Sequence, residues 1–199
     1  MKDLIRKILR EYEEEKILVV PSLKYFNNDW NSLQSFLEKK GNPKWRIGGY
    51  LNLYRTPIKY LGNLTSVGGD LNLYGTPIKS LGNLTSVGRN LDLYGASIKS
   101  LGNLTSVGGF LDLDGTPIES LGNLTTVDGY LNLGSTPIES LGNLTSVGSN
   151  LNLFGTPIQS LGNLTSVGGD LELRRTPISK KYSEEEIRQM VNVEGNIYL

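Results

Sequence analysis

Leu71 and Leu73 alternate with Asp70, Asn72 and Tyr74, the period-two pattern of a half-buried strand. The leucines are expected to point inward and the other three side chains outward. Gly75-Thr76-Pro77 then breaks the strand and turns the chain. Ile78, Leu81, Leu84 and Val87 follow at intervals of three, which suits one face of a tight helical or 3₁₀ segment rather than a strand. The whole pattern recurs every 20 residues, with Leu-Gly-Asn-Leu-Thr beginning at Leu61, Leu81, Leu101, Leu121, Leu141 and Leu161.

A short regular repeat predicts a solenoid, in which each unit stacks only on its neighbours. In one unit, Val67, Leu71, Leu73, Ile78, Leu81 and Leu84 face inward. A lone coil cannot bury that set. Stacked coils can, each fully buried aliphatic contributing roughly 1.5–3 kcal/mol before entropy is subtracted. Strands of successive coils are expected to pair in parallel, about 4.8 Å apart. The expected fold is a β-rich α/β repeat solenoid: a single parallel sheet of about eight strands, with tight turns or 3₁₀ segments opposite. Seven strands come from the series Leu51, Leu71, Leu91, Leu111, Leu131, Leu151 and Leu171, and an eighth from Asn196 to Leu199.

Solenoid ends need caps, because the terminal coils otherwise expose core and sheet edge. Residues 2–16 read as an amphipathic helix with Leu4, Ile5, Ile8, Leu9 and Tyr12 on one face. A second helix is expected to start near Asn28 or Asp29 and to place Trp30, Leu33, Phe36 and Leu37 inward. Gly41 and Pro43 end it. At the other end, the step from Leu171 to Ile197 is 26 residues instead of 20, and the insertion holds Ser183-Glu184-Glu185-Glu186, a capping box. The last coil is therefore expected to replace its tight turn with a helix. These signals divide the chain into a helical cap over 1–46, a solenoid over 47–178 and a C-terminal cap over 179–199.

The segment Leu71-x-Leu73-x-x-Thr76-x-Ile78 resembles the second half of the leucine-rich repeat, with Thr where that family has its Asn. Val67 lies four residues before Leu71, not three. With the Gly68-Gly69 pair this looks more like the receptor L-domain variant, a β-helix-like relative. The Leu-Gly-Asn-Leu-Thr-Ser-Val-Gly-Gly string is also similar to repeat proteins of tailed bacteriophages. These resemblances imply a solenoid fold and leave function open.

Composition narrows the function classes. Among 199 residues there are 20 basic and 20 acidic side chains, and a net charge of zero counts against a dedicated nucleic-acid or polybasic membrane partner. There is no Cys and no His, which removes disulfides, thiolate metal sites and the commonest general base. No catalytic residue, metal site or cofactor is expected. The longest apolar run near the start, Ile17 to Val20, is far short of a membrane span, so membrane insertion is not expected. No signal-peptide core is visible, and the expected location is the cytoplasm of the expressing cell, including a virus-infected bacterium. On the same ground the sequons at Asn63, Asn83, Asn103, Asn123, Asn143 and Asn163 are set aside.

Function can be written only where coils differ. The strand exit reads Tyr54, Tyr74, Tyr94, Asp114, Gly134, Phe154, Arg174. The middle of the strand reads Asn52, Asn72, Asp92, Asp112, Asn132, Asn152, Glu172. The position after Ile reads Lys59, Lys79, Lys99, Glu119, Glu139, Gln159, Ser179. The candidate binding residues are Tyr54, Tyr74, Tyr94, Asn52, Asn72, Asp92, Asp112, Asp114, Lys59, Lys79 and Lys99. The Tyr and Lys ladders read either as a selected surface or as inheritance from repeat duplication. The expected function is non-catalytic binding of another protein through the exposed sheet face, by a chain that is itself monomeric or weakly self-associating. The alternative is a carbohydrate- or polymer-binding, surface-attachment solenoid. The Thr ladder (Thr56, Thr76, Thr116, Thr136, Thr156 and Thr176, broken at Ala96) is expected to satisfy backbone groups of the turns. An ice-binding face is set aside because Thr76 sits at a turn and Thr85 is expected in one.

Overall fold

The computed structural model describes residues 5–6 and 17–199. Ile5 and Arg6 are helical, and the rest of the amphipathic segment expected over residues 2–16 lies outside the described residues. The remainder is a solenoid of stacked coils with two parallel sheets wrapped around one core.

The first sheet, here the leucine sheet, has eight strands among the described residues: Leu51–Asn52, Leu71–Asn72, Leu91–Asp92, Leu111–Asp112, Leu131–Asn132, Leu151–Asn152, Leu171–Glu172 and Ile197–Tyr198. Each leucine aligns with its counterpart one coil away, as in Leu71↔Leu91 and Leu91↔Leu111. In the seven strands that begin with leucine, that leucine and the one two residues on are both buried, as alternation predicts, while Leu199 at the end of the eighth is exposed.

A second sheet stands where tight turns alone were expected. Among the described residues this valine sheet has nine strands, running from Leu18–Val20 and Trp45–Ile47 through Leu64–Val67, Ser86–Val87, Ser106–Val107, Thr126–Val127, Ser146–Val147 and Ser166–Val167 to Asn192–Val193. The interval-of-three reading holds for half of its span. The Leu84 N–H donates to the Leu81 carbonyl at 3.2 Å, an i to i+3 turn. From Thr85 onward the chain is extended and bonds to the preceding coil, with the Thr85 N–H on the Thr65 carbonyl at 2.8 Å. Thr and Val favour the extended state; Val87 reaches the core from it, and Leu84 from the end of the turn. The single sheet expected from sequence is thus one of two.

The ends follow their signals. Asp29 caps helix α1 (Trp30–Lys39), accepting from the Asn31 and Ser32 N–H groups at 3.1 and 3.0 Å. These bonds hold the Asp29 carboxyl below its ordinary pKa, the Ser32 side chain contributing most. Leu33 and Leu37 are buried in the core, and Trp30 packs on Trp45 with ring centroids 6.1 Å apart. The apolar run at Leu18 to Val20 forms the first strand of the valine sheet, paired with Trp45–Ile47. At the far end, helix α2 (Glu184–Met190) opens on the Ser183/Glu186 capping box. It fits into the 26-residue step, so that Leu171 pairs with Ile197 and Val167 with Val193.

Two columns hold the coils in shape. Thr76 Oγ1 donates to the Leu73 carbonyl at 2.8 Å, and Thr56, Thr116, Thr136, Thr156 and Thr176 repeat the bond, which closes the turn after their leucine strands as expected; at Ala96 the side-chain bond is missing. Gly62, Gly82, Gly102, Gly122, Gly142 and Gly162 all have φ between 58° and 62°, the left-handed conformation that glycine adopts without strain. Beside them, Asn103 and Asn163 donate to the Gly82 and Gly142 carbonyls of the preceding coil, and Ser80 and its equivalents accept the glycine N–H.

Candidate functional site: the outer face of the leucine sheet

The leucine sheet brings two of the three predicted columns together. Asn52, Asn72, Asp92 and Asp112 lie mid-strand, and Tyr54, Tyr74, Tyr94 and Asp114 follow two residues later on the same face. Lys59, Lys79 and Lys99 are exposed but lie beyond the turn, off the strand. Lys99 pairs with Glu119 one coil on, Nζ to Oε1 at 2.7 Å.

The mid-strand column has a structural role in every coil. Asn52, Asn72, Asp92 and Asp112 each accept, through Oδ1, the N–H of the residue two positions on. This local bond shapes the strand exit and accounts for Asn or Asp at the position. Burial raises the Asp112 carboxyl above its ordinary pKa, and Asp92 and Asp114 beside it add to the rise.

The tyrosines form a stack. The Tyr54 and Tyr74 ring centroids are 5.0 Å apart, as are those of Tyr74 and Tyr94, the second pair nearly parallel at 14°. The Arg55 guanidinium lies over Tyr54 and Tyr74, 5.2 and 5.6 Å from the centroids. Tyr54 and Tyr94 remain 46% and 40% exposed, so the stack is ordered while still facing water.

A further column escaped the sequence reading. Tyr50, Asp70, Asn90, Phe110, Tyr130, Asn150 and Asp170 precede each strand, and Tyr50, Phe110 and Tyr130 are exposed aromatics. The alternation that placed Asp70 outward carries the signal for it. Burial raises the Tyr130 hydroxyl above its ordinary pKa; a hydrogen bond with Asn152 opposes this, and Asp112 and Asp114 add to it.

A depression of about 420 Å³ lies in the second half of the face. Asp114, Tyr130, Gly134, Asn152, Phe154 and Arg174 are on its walls. Arg174 is clamped to Glu172, Nε at 2.9 and 3.0 Å from the two carboxylate oxygens, which holds the Glu172 carboxyl below its ordinary pKa. Among the described residues no group of three or more His, Cys, Asp or Glu is placed to hold a metal ion, and no helix is long and apolar enough to cross a membrane.

The other face differs. Thr85 lies at the head of a valine-sheet strand, not in a turn, and Ser86 follows it. The Thr85 hydroxyl donates to the Thr65 carbonyl of the preceding coil at 3.0 Å, and Thr105, Thr125, Thr145 and Thr165 repeat the bond. Those hydroxyl protons bind the coils to each other.

No protein-family model matches the chain, and no curated protein and no solved structure matches it.

Proposed function

We propose that the chain is a non-catalytic binding scaffold that meets another protein through the outer face of the leucine sheet. One observation carries this reading: from Ser66 to Ser166 the outward residue before each valine of the valine sheet stays Ser or Thr, with Arg46 and Asn192 only in the end strands, while the outward side chains of the leucine sheet vary and include exposed aromatic rings. Tyr is among the residues enriched at protein interfaces. The Tyr54–Tyr74–Tyr94 stack already holds its rings in place, so less rotamer freedom remains to be lost on binding. Kinship with leucine-rich and L-domain-like repeats and a phage-like setting belong to this proposal and rest on the sequence motif.

Carbohydrate or polymer binding is the second reading, favoured by aromatic rings beside amide and carboxylate groups. Against it, the Oδ1 atoms of Asn52, Asn72, Asp92 and Asp112 already accept backbone bonds.

Affinity capture from cells expressing the protein tests the proposal. The wild type is compared with the Tyr54→Ala/Tyr74→Ala/Tyr94→Ala variant, both checked for folding. Loss of a specific protein from the variant supports the reading. An identical partner set overturns it, and a positive glycan array with no protein captured favours the second reading.

A further inference from the structure

The strand-exit column reads as a row of rungs. Its first three positions are filled by stacked tyrosine rings 5.0 Å apart. At Gly134 the rung is missing. Gly134 does not have a positive φ, so its backbone conformation is not one reserved for glycine. A Cβ there would come within 2.9 Å of the Asn152 amide nitrogen and 3.3 Å of the Asn132 amide oxygen, so the Asn152 side-chain end would have to shift to admit it. The gap is therefore a matter of side-chain choice and not of backbone need.

The walls of the gap have a specific chemistry. On one side stands Phe154, whose ring is covered by the Arg175 guanidinium of the next coil, 5.0 Å from the centroid. Gly134, in the preceding coil, supplies no side chain against the ring. On the other side stands Asp114, with Asp112 and Asp92 behind it. Around the depression, Asp114, Asp170 and Glu172 outnumber one guanidinium, Arg174, which Glu172 neutralises. A flat slot with an aromatic ring and an excess of carboxylates is complementary to a planar cation. The protein itself places Arg55, Arg174 and Arg175 over rings at 5.0–5.6 Å, which shows the geometry its coil spacing allows.

We propose that the Gly134 gap is a receptor for the guanidinium of an arginine side chain on the protein partner, seated against Phe154 and paired with Asp114. This assignment rests on the reading of the leucine-sheet face as a protein-binding surface. It adds the chemistry of one anchor and predicts an exposed arginine on the partner's contacting segment.

The test uses the full chain, isotope-labelled for NMR, titrated with N-acetyl-arginine amide and, separately, with the citrulline and lysine analogues. Saturable shifts at Gly134, Ser135 and Phe154 are expected with the arginine probe, weak with lysine and absent with citrulline. Asp114→Asn is expected to weaken binding about tenfold, the loss of one charge-assisted contact. Gly134→Tyr, which fills the rung, is expected to abolish it. Asp114→Asn keeps the slot's shape and remains decisive if Gly134→Tyr fails to fold. Absence of a saturable shift, equal response to citrulline, or indifference to Asp114→Asn overturns the assignment. If arginine does not bind but capture still depends on the tyrosine stack, the receptor fails alone. If arginine binds but capture is indifferent to the whole face, the interaction reading fails and the receptor stands.

Discussion

The two sheets share the same coils and the same core, yet their outer faces have opposite characters. On the valine sheet, Ser66, Ser86, Ser106, Thr126, Ser146 and Ser166 repeat almost unchanged, and the threonine beside each donates its hydroxyl to the neighbouring coil. On the leucine sheet, the equivalent outward positions run from Tyr and Asn through Asp and Gly to Phe and Arg. Variation on one face only is informative, because both faces are equally repetitive in backbone. Duplication alone would leave both uniform or let both drift.

The comparison rests on an equivalent interior, and the largest effects should lie there. Leu93, under the leucine sheet, and Leu104, at the entry to the valine sheet, are both fully buried. Each is expected to cost ~2–5 kcal/mol on truncation to Ala. Chemical denaturation checks this; a large loss at one site with little at the other would mean that the two sides are not supported alike.

The next contrast is at the surface. Tyr74 stacks on a ring at each side, and aromatic pairs contribute roughly 0.5–1.5 kcal/mol each beyond burial. Tyr74→Ala should therefore destabilise by ~1–3 kcal/mol. Ser86→Ala on the opposite face should stay within about 0.5 kcal/mol of wild type. Equal effects in thermal or chemical denaturation would break the contrast.

Ser135 offers a smaller test. It adopts φ 57° where Gly75, Gly95, Gly115 and Gly155 stand in other coils. Ser135→Gly relieves left-handed strain but loosens the unfolded chain, for a net gain of about 1 kcal/mol or less. The midpoint of denaturation should rise slightly; a fall would show that the strain relieved is smaller than the cost of the freer unfolded chain.

The smallest effect has a pH signature. Burial raises the Asp112 pKa in the folded state, so folding holds that proton more tightly than the unfolded chain does. Stability from this group falls as pH rises from the ordinary carboxylate range through the folded value. Asp112→Asn should stabilise modestly at neutral pH, water screening much of the effect, and the gain should vanish in acid. Asn already serves at the equivalent Asn132, whose Oδ1 accepts the Gly134 N–H. Denaturation midpoints in both pH ranges check it; a difference independent of pH would contradict the charge-based cause.

Legibility in the sequence followed how local each signal was. The leucine strands, the threonine-closed turns and the Ser183 capping box could all be read, because each depends on residues a few positions apart, and the 26-residue step could be read as a break in the repeat period. The valine sheet could not. Leu81, Leu84 and Val87 have one spacing, yet the first interval closes a turn and the second is extended, and the bond that decides it goes to Thr65 in another coil. The tyrosine stack was readable as a column. The Gly134 gap was not, because a missing side chain becomes a site only when its neighbours, Phe154 and Asp114, are seen to wall it.

The central claim is that binding uses the leucine-sheet face. Hydrogen-exchange or radical footprinting of the protein with its captured partner tests this directly. Protection is expected at Tyr54, Tyr74, Tyr94, Tyr130 and Phe154, with Ser86, Ser106 and Thr126 unchanged; protection confined to the valine sheet or to the solenoid ends would contradict it.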